Sequence, residues 1–283
     1  MKLSPRAALL LLPSAAIFLF LLILPLANVI DESFKLFIPG RIGSAKDAPY
    51  TLTNYIELIS PAYAKFFLDT FLLGLFACAI ALFVSFPIAY YVARQPVGLK
   101  RKLAVGFLIC MMFLSALVRV YSLELTFGPV GFLKQVSTLF GLTPNSRTYI
   151  ELLTIAGLIH IIIPMSALIL VGTLQNISPR LVEAAQALGA PRWKAHLSIT
   201  IPLSARGILS AFLVSYTLCI SAFVVPLILG KGRLLFISNL IYSRFSEVAN
   251  YPSGAAMSMV LLASSLLIIY VVTRIAAARW GTE

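Results

Sequence analysis

The chain has 283 residues, 60% of them hydrophobic and only 11% charged, with a mean hydropathy of +0.98. A soluble domain of this length could not cover its surface with so few charges, so lipid is the solvent for much of it. The formal charge of +12 does not point to nucleic acid, because the basic residues gather beside the ends of apolar stretches.

In chain order, Lys2 and Arg6 precede an apolar run that continues to about Ile30 without a small-x-small cleavage site. We read it as a retained first membrane helix rather than a removed signal peptide. A crossing takes roughly 20 apolar residues, and six stretches qualify: 7–28, 67–93, 103–123, 150–174, 205–229 and 254–273. Backbone in hydrocarbon must satisfy its own hydrogen bonds, and the alternation of an outer-membrane barrel is absent. The expected fold is an all-α polytopic membrane protein with six transmembrane helices.

Between the first two stretches, residues 31–66 carry Pro39-Gly40, Gly43-Ser44 and Pro49, which suits a lip on the outer face. Pro87 and Pro164 lie inside the second and fourth stretches, where they kink a helix as gate hinges or as packing kinks. Residues 124–149 read as a loop with one short helix at Val130–Phe140, and 230–253 are similar. No internal repeat stands out. The expected divisions are 1–65 (first helix and lip), 66–273 (transport domain, with a connecting loop at 175–203) and 274–283 (tail).

With both termini on the cytoplasmic side, the inner segments hold Lys2, Arg6, Arg94, Lys100, Arg101, Lys102, Arg180, Arg192, Lys194, Arg206, Arg274 and Arg279. That is twelve of the 22 basic residues, against ten on longer outer loops. The short run Arg94–Lys102 has four basic residues and no acid, which favours this orientation. Cys78, Cys110 and Cys219 fall inside predicted helices at no metal-site spacing, and read as small core residues.

The most informative segment is LVEAAQALGAPRWKAHLSITIPL, a polar island between the fourth and fifth stretches. Ser178-Pro179 suits a helix start, with Ser as N-cap and Pro at the first helical position. Leu181, Ala184, Ala185 and Leu188 recur at i, i+3, i+4 and i+7, an apolar stripe with small side chains at its centre. Gly189 suits the left-handed residue that ends a helix, and Pro191 restarts a second short one. Adjacent alanines let another backbone approach closely, as a helix lying in a groove requires. Glu183 lies too far along for a capping box, so its charge is free for a partner.

This arrangement resembles the signature loop of type I ABC importer permeases, Glu-Ala-Ala-x3-Gly-x9-Ile-x-Leu-Pro. The matching residues are Glu183, Ala184, Ala185, Gly189, Ile199 and Pro202, with Ile201 where Leu is usual. TNYIELISPAYAKFFLDTFLLG, FPIAYYVAR, SALVRVYS and ISAFVVPLILG resemble the spermidine/putrescine-type subgroup, from about residue 52 to 272. The resemblance implies an inner-membrane permease that hydrolyses no ATP. Two ATP-binding cassette subunits would bind ATP and Mg²⁺, leaving no cofactor in this chain. Its further partners would be a second permease subunit, expected as a heterodimer, and a periplasmic substrate-binding protein. The chain itself has no G-x4-G-K-[ST] phosphate loop, and LGKGR at 229–233 lacks the upstream glycine. The resemblance assigns ATPase coupling to Glu183, Ala184, Ala185, Gly189, Trp193 and Pro202. Trp193 suits a groove anchor or plain interfacial packing.

Ionisable and polar groups within the bundle are candidates for the solute path. Arg119 needs a partner, either an anionic solute or its neighbours Tyr121 and Glu124. His160, four residues before Pro164, faces the path or bonds the carbonyl that the kink frees. Asp69 and Glu151 sit at outer helix ends, where interfacial water explains them. Ser215, Tyr216, Ser221 and Pro226 fall where the family's central cavity lies. Polyamine permeases of the subgroup often carry acids in a pattern like Glu-Phe-Val-Val-Pro-Asp here, whereas this chain has Ala222 and Leu227. Opines, amino-acid derivatives and aminophosphonates therefore stand beside polyamines. An ion-gradient-driven secondary transporter would need paired intramembrane acids, and an intramembrane enzyme a Ser/His, paired-Asp or His-rich set. Neither is evident.

Overall fold

The structure, a computed structural model, describes residues 5–44, 48–129, 131, 133, 141, 143 and 146–280. The short helix expected at Val130–Phe140 lies outside them apart from Gly131 and Leu133. Among the described residues the secondary structure is helical, with one isolated bridge between Lys35 and Tyr50.

The helices are α1 (Pro5–Ser33), α2 (Thr53–Leu58), α3 (Pro61–Arg94), α4 (Leu99–Phe113), α5 (Ala116–Phe127) and α6 (Arg147–Gln175). Next come α7 (Arg180–Ala187), α8 (Arg192–Leu203), α9 (Ala205–Ile220), α10 (Val224–Leu229), α11 (Ile237–Ser246) and α12 (Tyr251–Trp280). Four are long and apolar enough to cross a membrane: α1 over Ala16–Ser33, α3, α6 and α12. Two bent pairs, α4 with α5 at 90° and α8 with α9 at 69°, meet the same test if each is taken as one span, for up to six in all.

Two expected stretches are thus not single rods. The third breaks at Leu114 and Ser115, whose backbones are extended (ψ 134° and 133°). No proline or glycine marks that break. The fifth ends at Ile220, so α9 has sixteen residues and a length of about 24 Å. Pro226 explains the interruption, since it has no N–H for the carbonyl of Ala222. That carbonyl instead accepts the Ser238 hydroxyl at 2.6 Å, while Asn239 Nδ2 donates to the Phe223 carbonyl at 3.0 Å.

The chain divides into two compact units, Met1–Ala64 with Leu240–Ser264, and Lys65–Asn239 with Ser265–Glu283. In the first, the segment after α1 is knitted by polar contacts. Asn54 Nδ2 donates to the carbonyls of Ser33 and Lys35, both at 2.9 Å, and Ser44 donates through N and Oγ to the Glu32 carboxylate at 3.0 and 2.6 Å. Lys35 meets Asp31 at 2.6 Å, and this bond holds its ammonium charged above the usual lysine range. Leu58, Ala256 and Met257 form a small core with Tyr55 and Ile241.

In the second unit, Ala77, Cys78 and Ala81 of α3 are fully buried with Leu158 and Ile162 of α6, Tyr216 and Cys219 of α9, and Val225 and Leu229 of α10. Small residues at such seams let helices approach closely where lipid offers no hydrophobic drive. Gly207 is the extreme case: a Cβ there would lie 2.1 Å from Thr173 Oγ1, so α9 rests directly on α6. Cys78 and Cys219 are buried as expected, but Cys110 is exposed.

Candidate functional site

The connection from α6 to α9 builds the island singled out in the sequence. The α7 helix starts at Arg180 with Pro179 in the cap position, and no side chain caps it, so Ser178 does not play the expected role. Glu183 falls in its first turn, where the positive end of the helix dipole favours an acid. Gly189 has φ +88° with open space around it, the left-handed stop the sequence implied. Pro191 then precedes α8 in an extended conformation.

Within the second unit the stripe of α7 is left largely uncovered. Val182 is its buried residue, at 5% exposure, whereas Leu181 is 45% and Leu188 90% exposed. Glu183 and Ala184 are exposed, Ala185 is half-buried, and the Glu183 carboxylate holds no hydrogen bond or ion pair among the described residues. Arg180 on the same helix, and Arg192 and Lys194 on α8, are also exposed. Trp193 is 66% exposed, yet its inner edge lines a cleft of about 720 Å³ with Phe86, Pro87, Leu170 and His196.

The loop is anchored to α3 in a way the sequence did not reveal. Arg94 Nη1 donates to the Ile177 carbonyl at 2.8 Å, just where the chain leaves α6. The same guanidinium lies 5.2 Å over the Tyr90 ring, and Tyr90 meets the His196 ring edge-on at 4.9 Å. His196 Nδ1 in turn pairs with Thr200 Oγ1 at 3.1 Å. The last residues of α3 therefore touch both the outgoing and the returning limb. Over His196–Thr200 the return is π-wound, with the Ile201 N–H reaching back to the His196 carbonyl, immediately before the exposed Pro202. In the sequence Arg94 registered only as a charge at a helix end.

The path candidates are placed unequally. Tyr216 is 3% exposed, its hydroxyl donates to the Phe71 carbonyl at 3.4 Å, and its ring stacks on Phe212. Ser215 is buried and shares a hydrogen bond of 2.7 Å with Ser166 across the α6–α9 seam. Ser221 is exposed, with its hydroxyl turned onto the Thr217 carbonyl at 2.8 Å. Pro226 is buried at the break already described. Tyr121 is exposed.

Arg119 is 5% exposed, its side chain holds no hydrogen bond or ion pair among the described residues, and its Nε is sealed from solvent. The expected pairing with Glu124 is overturned, because Glu124 meets Lys231 Nζ at 2.9 Å. His160 Nδ1 is buried without a partner, so it does not bond the carbonyl freed by Pro164. Thr154 Oγ1 and Glu124 Oε2 are likewise unpaired. Asp69 and Glu151, read as interfacial, both bind Arg147, at 2.9 and 2.7 Å. A lone buried charge costs about 3–5 kcal/mol when its partner is missing, so an unpaired Arg119 calls for an explanation.

Comparison with known proteins agrees with this geometry. Residues 85–280 match the family described as binding-protein-dependent transport system inner membrane component. The spermidine/putrescine transport system permease protein PotB of Salmonella typhimurium is 29% identical over 225 residues, 78% of this chain and 78% of that protein. PotB of Haemophilus influenzae is 28% identical over 260 residues, covering 90% and 89%. A bacterial alginate ABC transporter, solved in complex with an alginate pentasaccharide-bound periplasmic protein, superposes with a TM-score of 0.73 at 18% identity, covering 97% of this chain and 95% of its own. The chain belongs to the family of binding-protein-dependent transport system inner membrane components, and is a multi-pass inner-membrane permease of an ABC importer.

Proposed function

We propose that α7, with Glu183, Ala184, Ala185, Gly189, Trp193 and Pro202 about it, is the lever through which ATPase subunits drive this permease. The observation that carries this is the outward apolar stripe of α7, with an unpaired Glu183 beside it. The described residues of the second unit leave both largely uncovered, and a groove in another protein fits both. ATP and Mg²⁺ sit in two separate ATPase subunits. Their closure tilts α6 and α9 as rigid bodies, because the loop joins both helices and is clamped to α3. Both termini and the loop lie on the cytoplasmic side, and a second permease subunit, forming a heterodimer, supplies the other half of the passage. A periplasmic binding protein delivers the solute and does most of the selecting. The candidate solutes are polyamines, which the PotB relatives' names support, opines and amino-acid derivatives. Arg119, Tyr121, His160, Tyr216, Ser221 and Pro226 are the path candidates, of which the unpaired Arg119 and His160 have the best claim.

The test is uptake by the importer assembled with its ATPases and binding protein. Glu183→Lys and Gly189→Pro should each abolish uptake while membrane insertion stays normal. Unchanged uptake in both, or wild-type transport with the ATPases withdrawn, would favour a secondary transporter instead.

A further inference from the structure

The run Lys100-Arg101-Lys102 stands at the start of α4, with no acid between Arg94 and Lys102. Arg101, Val105 and Ile109 follow one another at i, i+4 and i+8, so they share a face of α4. Leu168, Gly172 and Gln175 recur at i, i+4 and i+7 on α6 and share a face there. The two faces meet across an open groove of about 550 Å³, within the range of about 300–1,000 Å³ for small-ligand sites. The helices run antiparallel, since in the neighbouring cavity Met111, further along α4, meets His160, earlier on α6. Arg101 and Lys102 therefore share one end of the groove with Gln175, the last residue of α6. Ile109 and Leu168 lie at the other end, about 11 Å away along the helices. One end is basic and the other apolar. Between them, a Cβ at Gly106 or Gly172 would meet nothing within 4 Å, and both glycines are exposed. The side chains of Arg101, Lys102 and Gln175 hold no hydrogen bond or ion pair among the described residues.

We propose that this groove docks an anionic phospholipid of the cytoplasmic leaflet, with its phosphate at Arg101 and Lys102 and an acyl chain along the glycines. A guanidinium fork fits phosphate oxygens in pairs, and Lys102 adds a point charge. The Gln175 amide stands at the same end and can donate to the same headgroup. Basic pockets between membrane helices on the cytoplasmic side take such headgroups in general. Charge complementarity decides the occupant: a partner helix would cover Ile109 and Leu168 but leave two cations without an acid. A phospholipid answers both ends with one molecule. The inference goes beyond the importer reading and draws from it only the cytoplasmic placement of the α3–α4 turn. Gln175 lies two residues before Ile177, which Arg94 holds, so the lipid braces α4 against the anchored end of α6.

Native mass spectrometry of the purified full chain in detergent, titrated with dioleoyl phosphatidylglycerol or dioleoyl phosphatidylcholine, counts the lipids retained. Wild type should hold one phosphatidylglycerol more tightly than any phosphatidylcholine. Arg101→Gln and Lys102→Gln should each weaken that binding several-fold, and the two together roughly tenfold or more. Gly172→Leu keeps every charge but fills the groove, and should weaken the binding as well. Open space at Gly172 and the better helix propensity of leucine keep the fold of that variant intact. Lys100→Gln removes the same charge from a residue outside the groove lining, and should leave the binding unchanged. Equal retention of the two lipids would overturn the proposal, as would wild-type binding in Gly172→Leu. A loss in Lys100→Gln as large as in Arg101→Gln would mean diffuse attraction to a basic surface and overturn it too. So would displacement of the lipid when the chain is purified with a second permease, which would make the groove a subunit contact. No ATPase or uptake enters this readout, so a failure here leaves the coupling reading untouched.

Discussion

Arg94 donates to the carbonyl of Ile177 at 2.8 Å, fixing the end of α3 to the residue from which the α6–α9 connection departs. Through Tyr90 and His196 the same side chain also reaches the returning limb. A lever transmits motion only if its fulcrum holds, and this cluster ties both limbs to one helix.

Arg94→Ala should therefore lower solute imported per ATP hydrolysed, while ATPase binding persists. The bond is charge-assisted and worth about 1.5–3 kcal/mol, so the coupling ratio should fall by roughly tenfold or more. Lysine at this position restores the charge but not the cation–π face, and should recover only part. Parallel assays of uptake and hydrolysis on reconstituted importer read this directly.

Gly207 and Thr173 make a second test. A methyl group at Gly207 would meet Thr173 Oγ1 at 2.1 Å, so Gly207→Ala should destabilise the chain by about 1–3 kcal/mol. Thr173→Ala should recover much of the loss, which thermal unfolding of the single and double variants in detergent will show. Additive losses would mean that the two helices do not meet as described.

At the break after α9, Ser238→Ala leaves the Ala222 carbonyl without its hydroxyl donor, at a cost of about 1–3 kcal/mol. In a Pro226→Ala background residue 226 regains an N–H, and the same change should cost less. A double-mutant cycle followed by unfolding measures that coupling.

Gly189→Ala isolates backbone strain, because the surroundings of Gly189 are open and only its φ of +88° matters. Holding alanine in that region costs about 1–2 kcal/mol. Uptake should fall several-fold, and stability to unfolding should fall by no more than that strain.

Much of this was legible in the residues themselves. Chain-long hydrophobicity marked the crossings, and the spacing from Glu183 to Pro202 marked the loop, because both are local patterns. The left-handed stop at Gly189 was legible for the same reason. Contacts distant in sequence were not: Arg94 with Ile177, Glu124 with Lys231, and Arg147 with Asp69 each join residues more than 75 positions apart. One of the partners weighed for Arg119, Glu124, is consequently held elsewhere. The break at Leu114–Ser115 carries no proline or glycine, so composition could not announce it. The break before Pro226 did carry its signal, but Pro226 was weighed as a lining residue rather than as a missing donor.

The central claim is that an ATP-driven partner grips α7. A single cysteine at the 90% exposed Leu188, in a chain whose Cys78, Cys110 and Cys219 are replaced, tests it most directly. During active uptake that cysteine should cross-link to an ATPase subunit, with a yield that changes between nucleotide-free and ATP-bound states. An importer that transports at full rate with no cross-link to any ATPase in either state would contradict the account.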